Sequence, residues 1–328
     1  MSNAAAKAKS TSPKGSQGFA SMKKTLVLLS MVAPGAIWLV LLRYLPMGGI
    51  VMAFKNYKVY TKDPGLINNI INSEWNGIDN FKFIFAGSDA WLMFRNTLGY
   101  NAVFIVTGLV VSVTFAVMLN EVTNKFVAKT YQTLMFFPYF LSWVVVSYFL
   151  YAFIDPTYGM VNRVLVNWGY DQFQAYNWYA DLKPWPYIIV IANAWKNVGY
   201  TTILYLAAIT GIDATQYEAA SIDGATKMQQ IFYVTLPHLK TMIVILLIMN
   251  VGKIFNSDFG LFYQVPMGSG TLIPITQTID TYVYRIMTAV PNLGYSTAAG
   301  LMQNVIGFIC IMTANAVVRK VDEDSSLF

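Results

Sequence analysis

Read as apolar and polar positions, the chain is a series of long apolar runs parted by shorter polar stretches. Six runs reach the ~20 residues that a helix needs to cross a hydrocarbon core. They are Thr25 to Phe54, Thr97 to Leu119, Tyr131 to Ile154, Tyr187 to Thr210, Met242 to Phe262 and Tyr295 to Val318. The pattern predicts an all-α polytopic membrane protein with six transmembrane helices. Arg43 and Pro46 interrupt the first run, which predicts one long tilted helix or a helix with an irregular end, its cation snorkelling to the interface. The run continues through Trp38 and Arg43 where a cleaved leader would need small residues, so it reads as a retained span.

The polar stretches set the organisation. Residues 1–24 carry Lys7, Lys9, Lys14, Lys23 and Lys24 with no acid, the pattern of a disordered cytoplasmic tail. Residues 25–318 form the membrane domain and 319–328 a second cytoplasmic tail. An even number of spans places both termini and the segment 211–240 in the cytoplasm, and Lys125, Lys129, Lys227, Lys240, Arg319 and Lys320 bias the charge the same way. Outside, the aromatic pieces Trp75 to Phe85 and Asp155 to Pro186 read as an interfacial belt; the second, with Trp168, Tyr170, Tyr176, Trp178, Tyr179 and Trp185, also reads as a docking surface or a lid.

Polar faces inside the spans point to a pathway. Asn193, Lys196, Asn197 and Tyr200 stand at i, i+3, i+4 and i+7 and share one helical face. A mid-span lysine facing lipid costs roughly 3 kcal/mol, so this face points inward. Asn250, Lys253, and Asn256 or Ser257 repeat the pattern, followed by Asp258, and Gln303 and Asn304 add amides. One such amide is ordinarily an interhelical hydrogen bond; two lysine-centred faces predict a wet central cavity. Amides and lysines suit sugar hydroxyls, and two lysines suit an anionic sugar unless Asp258 neutralises Lys253. The many aromatics of the third span, from Phe136 to Tyr151, read as packing, and Gly108, Ser112 and Ala116 as a close helix contact.

The stretch Gly211 to Lys240, GIDATQYEAASIDGATKMQQIFYVTLPHLK, is wet yet lies between two apolar runs. Asp213 caps a short helix with Gln216 in the capping-box position, Gly224 permits a turn, and a second helix runs from Thr226 to about Tyr233 with Met228, Ile231, Phe232 and Thr235 near one face. Pro237 marks the start of the next segment. Composition alone describes an amphipathic connector resting on headgroups. The spacing goes further: Glu218-Ala219-Ala220, three residues, Gly224, nine residues, Val234, one residue, then Leu236-Pro237. This resembles the EAA signature of membrane subunits of ATP-binding-cassette importers, with Val234 where isoleucine is usual. Thr241 also stands where that family often has proline.

The resemblance implies the type I ABC importer permease fold, with a cytoplasmic coupling helix that docks into a separate ATPase. Glu218, Ala219, Ala220, Asp223, Gly224, Leu236 and Pro237 carry the coupling role over, the alanines allowing close packing, Gly224 the bend and Glu218 a carboxylate at the interface. Ala53 to Tyr57, Asn256 to Phe262 and Tyr295 to Gly300 resemble the carbohydrate uptake class 1 branch and its LplB-like oligosaccharide/polysaccharide permeases. That likeness runs from about residue 30 to the end. It implies half of a translocation pathway, in a bacterial plasma (inner) membrane, for an oligosaccharide brought by an extracellular or periplasmic solute-binding protein. It also implies a second homologous permease subunit, usually in a heterodimer, and two cytoplasmic ATP-binding-cassette ATPases that bind ATP and Mg, with no cofactor on this chain. The substrate contacts expected of it are Asn193, Lys196, Asn197, Tyr200, Asn250, Lys253 and Asn256.

Composition sharpens this. Of 328 residues, 56% are hydrophobic and 12% charged, about half the charge of a soluble domain, with a mean hydropathy of +0.48. A net charge of +6 and a pI near 9.1 raise nucleic-acid binding, but the cations are scattered over many loops and fit orientation and anionic lipid better. Cys310 and His238 are single, so neither a disulfide nor a histidine metal site follows. No phosphate-cradling Gly-rich loop and no nucleophile beside a base occurs, which argues against an enzyme. Two alternatives stand beside the importer reading. An ion-coupled secondary transporter needs a mid-membrane carboxylate or a broken helix, and only Asp258 is near. A membrane enzyme acting on lipid-linked sugars would lean on Asp280 and Arg285.

Overall fold

In the computed structural model, residues 16–58, 65–86, 90–289, 292–321 and 326–327 are described, and the chain divides into two units between Met52 and Ala53. Lys7, Lys9 and Lys14 of the expected N-terminal tail lie outside the described residues, as does most of the expected C-terminal one.

The first unit is one helical rod: α1 (Ser16–Leu39), a π turn at Val40–Tyr44, a helical turn at Leu45–Met47, and the start of a 3-10 segment, Gly48–Phe54. Helix begins at Ser16, ahead of the expected Thr25. Arg43 and Pro46 do not break the apolar stretch Thr25–Phe54, which runs unbroken through 30 residues. Pro46 has no N–H to give and its ring crowds the carbonyl four residues back; a π turn just before it widens the ladder and absorbs both effects. The device recurs. The π turns Ile231–Thr235 and Gly260–Gln264 end two residues before Pro237 and Pro266.

The second unit opens with β1 (Lys55–Asn56), α2 (Leu66–Asn72) and β2 (Glu74–Trp75), the two short strands pairing antiparallel through Lys55 and Trp75. In α3 (Asp79–Ala86), buried Asn80 donates to the carbonyls of Ala53 and Lys55, 2.9 Å each, and holds this cap together. Then come α4 (Ala90–Asn120), α5 (Lys125–Phe136), α6 (Trp143–Ile154), α7 (Met160–Asn167) and α8 (Trp185–Thr210). The chain continues through α9 (Ala214–Ile222), α10 (Lys227–Gln230), α11 (Leu236–Val251), α12 (Ile279–Ala289) and α13 (Leu293–Val321).

Among the described residues, four helices are long and apolar enough to cross a membrane, and five if the bent pair Lys125–Phe140 and Trp143–Ile154 counts as one span. Three expected spans therefore look different. The third is broken, its halves meeting at 101°, because Pro138 withholds an N–H and Ser142 caps the new helix, its Oγ accepting from the Val145 N–H at 3.3 Å. The fifth is shifted toward the N-terminus: one continuous helix, Lys227–Val251, gives way to turns that run on toward Phe262. The fourth, α8, has 26 residues, roughly 39 Å at 1.5 Å each, but polar side chains set it apart from the lipid-facing helices.

Close packing centres on α8, which lies along α4. A Cβ on Gly199 would stand 1.8 Å from the Met135 carbonyl oxygen, so only glycine admits the α5 end there. Ser112 and Ala116 of α4 are fully buried, Ser112 donating to the Val198 carbonyl at 3.3 Å, whereas Gly108 faces open space. At one end Ala116, Leu119, Tyr205, Leu206, Ile209 and Leu239 form a core; at the other Ile154, Trp185, Ile189, Leu261, Phe262, Val265 and Leu272 form a second. A third, with Ile84, Met93, Ile279, Ala299 and Met302, ties α3, α4, α12 and α13 together. Between the first two cores the packing opens.

Candidate functional site

The opening is a cavity of about 450 Å³ between α4, α8 and the end of α11, within the range of small-molecule sites. Phe104, Ile105, Leu109, Ile243 and Leu247 give it an apolar side. Its polar side carries Asn101, Asn193, Asn197, Thr201, Asn250, Lys253, Asn256, Ser257 and Asp258. Five of the seven residues expected in a pathway, Asn193, Asn197, Asn250, Lys253 and Asn256, line it together; Lys196 and Tyr200 do not.

Helix geometry explains the split. At about 100° per residue, Asn193, Asn197 and Thr201 advance in steps of about 40°, while Lys196 falls about 100° from Asn197. Lys196 is buried and donates to the carbonyls of Tyr139 (2.9 Å), Pro138 (3.4 Å) and Leu141, at the break of the third span. Its ammonium also sits 5.4 Å from the Trp143 ring and 5.8 Å from that of Tyr139. Tyr200 stacks on Tyr139 at 4.7 Å. The expected polar face of α8 is thus two faces, one turned to the cavity and one to the kink.

Asn250, Lys253 and Asn256 are likewise not one helical face, because α11 ends at Val251 and a braced turn presents the last two. Asn101 donates to the carbonyls of Ile254 and Asn256, both 2.8 Å, and Gln303 donates to that of Phe255 at 2.8 Å. The Asp280 carboxylate accepts from the Ser257 N–H (2.7 Å) and Oγ (2.6 Å), while Arg285 donates to Gln277 at 3.1 Å. Asp280 and Arg285 thus fasten this turn and its neighbour. Asp258 does not neutralise Lys253: its Oδ2 accepts from Trp143 Nε1 at 2.6 Å and its Oδ1 from the N–H groups of Gly260 (3.0 Å) and Leu261 (3.4 Å). Lys253 is exposed to the cavity and pairs with no acid among the described residues. Asn304 bonds back to the Gly300 carbonyl at 2.8 Å, and neither it nor Gln303 lines the cavity.

Beyond the far core, α9 turns back on the chain. Asp213 caps it, accepting from the Thr215 N–H at 3.0 Å, a bond that holds its carboxyl below the usual range. The capping box falls elsewhere than expected: Gln216 takes no part, and Thr226 with Gln229 closes one at the start of α10. Gly224, at φ +78°, stands in the left-handed region, with the Ala225 N–H reaching Ala220 and the Gly224 N–H reaching Ser221. Two ties fix α9 to the helix that follows: Tyr217 to Thr235 at 3.0 Å and Ser221 to Gln230 at 2.9 Å. Lys227 reaches Glu121 at the end of α4 at 3.6 Å. Glu218, Ala219, Asp223 and Gly224 are exposed, beside Ile222 (86% exposed), Met228 (62%) and Tyr233 (79%). Leu236 and Pro237 sit in the first turn of α11.

The aromatic segment between α6 and α8 divides in two. Trp178, Tyr179 and Trp185 pack into the core, with Trp178 donating to Asn162 at 2.6 Å, while Tyr158, Trp168 and Tyr170 are exposed. Tyr176 donates to Asp181, a bond that pushes the phenol up to about 12 and holds the carboxyl below its usual range. Among the described residues no group of His, Cys, Asp and Glu side chains is arranged to hold a metal ion.

Sequence and structure comparisons agree with this geometry. Residues 105–323 match the family model described as the binding-protein-dependent transport system inner membrane component. The chain is 32% identical over 314 residues to protein LplB of Bacillus subtilis (strain 168), covering 96% of this chain and 95% of that one. It is 33% identical over 297 residues to the polygalacturonan/rhamnogalacturonan transport system permease protein YteP of the same organism, covering 90% and 89%. In structure it is similar to a chain of a bacterial ABC transporter involved in the import of the acidic polysaccharide alginate, with a TM-score of 0.80, 29% identity, and coverage of 93% of this chain and 99% of that one.

Proposed function

The chain belongs to the family of binding-protein-dependent transport system inner membrane components, and from that premise we propose that it forms half of the membrane pathway of an ATP-driven oligosaccharide importer. The observation that carries the proposal is the amide-rich cavity between α4, α8 and the end of α11, joined through α11 to the exposed, doubly tied α9. A pore half needs a wet centre, and a subunit without its own nucleotide loop needs a lever to borrow work from one that has it. The relatives named for polygalacturonan/rhamnogalacturonan and for alginate support an oligosaccharide cargo.

In this reading a solute-binding protein delivers the sugar, a second homologous permease supplies the other wall, and two ATPases bind ATP and Mg. Both termini and α9 lie on the cytoplasmic side. Glu218, Ala219, Ala220, Asp223 and Gly224 meet the ATPase, and Leu236 and Pro237 carry the motion into α11. The ties Tyr217 to Thr235 and Ser221 to Gln230 make a push on α9 a push on the helix that carries Asn250 and leads into the turn bearing Lys253. Asn193, Asn197, Asn250 and Asn256 offer sugar hydroxyls donors and acceptors at the cavity wall.

The test is purification of the tagged chain from its native membrane in mild detergent, with identification of its partners and measurement of ATP hydrolysis. An ATPase and a second permease are expected, and Glu218→Lys or Gly224→Pro should abolish their recovery or the hydrolysis. A chain that purifies alone and takes up sugar on an ion gradient would contradict the proposal.

A further inference from the structure

The cavity holds one acid and one lysine, and they are in opposite situations. Asp258 is held in place, one carboxylate oxygen accepting from Trp143 Nε1 and the other from two backbone N–H groups, and its charge attracts the Lys196 ammonium rather than pairing with Lys253. Lys253 has no acid within salt-bridge distance among the described residues, and the turn that carries it is pinned by Asn101 and Asp280. The second lysine foreseen for the pathway, Lys196, is committed to the carbonyls of the kink. The cavity wall therefore presents one ammonium with no acid in salt-bridge contact among the described residues, held at a fixed place beside Asn250 and Asn256. A neutral sugar would leave that charge unanswered, whereas a carboxylate would satisfy it with a charge-assisted hydrogen bond.

We propose that Lys253 is the charge-reading residue of the pathway and selects oligosaccharides of uronic acids, binding a sugar carboxylate that is ionised at neutral pH. The neighbouring Asn250 and Asn256 hold the hydroxyls around it. The inference rests on the oligosaccharide-import reading given above and adds to it the class of sugar and the residue that discriminates.

The test uses the complete transporter in proteoliposomes with its own binding protein. The probes are oligogalacturonides and the same oligomers with every carboxyl methyl-esterified, which removes the charge and keeps the sugar. The readout is the ratio of half-saturating concentrations, ester over acid, for uptake. Because the binding protein is the same throughout, a change in this ratio between variants belongs to the permease. Wild type should favour the acid, Lys253→Met should lower the ratio on the order of tenfold, and Lys253→Arg should retain most of it. An unchanged ratio in Lys253→Met, or a wild type that carries the ester as well as the acid, would overturn the role of Lys253 while leaving oligosaccharide import standing. Failure of both sugars to be taken up by a complex that hydrolyses ATP would also overturn it; absence of any ATPase from the complex would count against the importer reading beneath it.

Discussion

Replacing Lys196 by methionine separates two roles that one residue could play. The side chain is buried, and its ammonium serves the carbonyls of Tyr139 and Leu141, with a longer contact to Pro138, where the third span bends by 101°. Methionine keeps the length and loses the donors. Each buried acceptor left unpaired costs about 1–3 kcal/mol. Two such losses come to about 2–6 kcal/mol, from which the relief of no longer burying an ammonium is subtracted. Because the two acceptors are only partly buried and that relief is subtracted, a net loss on the order of 1–3 kcal/mol remains, which corresponds to a fall of several degrees in the thermal midpoint. The assay is thermal unfolding of the purified protein in mild detergent, followed by tryptophan fluorescence, for which Trp143 at 5.4 Å from the ammonium is a local reporter. Lys196→Arg should recover part of the loss. An unchanged midpoint together with a raised half-saturating sugar concentration would refute the reasoning and return Lys196 to the pathway.

Gly199→Ala should abolish folded protein in size-exclusion profiles, since its Cβ would stand 1.8 Å from a backbone oxygen, whereas Gly99→Ala, with nothing within 4 Å, should fold normally. Gly224→Ala meets no neighbour within 4 Å, so its cost is the left-handed backbone alone, about 1–2 kcal/mol, and should appear as faster hydrogen exchange across α9 with little change in the global midpoint. Tyr217→Phe and Thr235→Val should show a coupling of about 1 kcal/mol in a double-mutant cycle, because they share one hydrogen bond; additive effects would remove that tie. The Asp213 carboxyl is held below its ordinary range in the fold, so its contribution is complete above roughly pH 4 and is lost as pH falls through the depressed value; the protection of the Thr215 amide, measured against its intrinsic exchange rate at each pH, should fall only under acid conditions, and Asp213→Asn should remove that dependence.

The apolar runs marked roughly where the helices lie, because burial in hydrocarbon is a property of composition, but not their number: among the described residues four, or five with the bent pair, are long and apolar enough to cross a membrane, against the six expected. Their ends were less legible. Pro46 and Pro237 read as interruptions, yet π turns carry the helix past both, and nothing local distinguishes a bridged proline from a breaking one such as Pro138. The polar face of α8 was legible as a set, but which of its members faces the cavity depends on where the carbonyls of another segment stand, and Lys196 follows those. Asn101 went unremarked because a lone amide in an apolar span reads as packing; only its two bonds to Ile254 and Asn256 reveal that it shapes the cavity wall. By contrast, the turn between α9 and α10 was readable from the residues, since Asp213 and Gly224 act through local backbone geometry, although the capping box closes at Thr226 and Gln229 and not at Gln216.

The claim on which the account turns is that α9 is the surface through which an ATPase drives the pathway. Cys310 is the chain's one cysteine, so a Cys310→Ser background permits a clean disulfide-trapping measurement with the ATPase bearing single cysteines. Ala219→Cys, exposed on α9, should trap the ATPase, while Thr157→Cys, exposed between α6 and α7, should not. Trapping at Ala219 that locks sugar uptake is the predicted result. Trapping at neither position, or equally at both, would contradict the account.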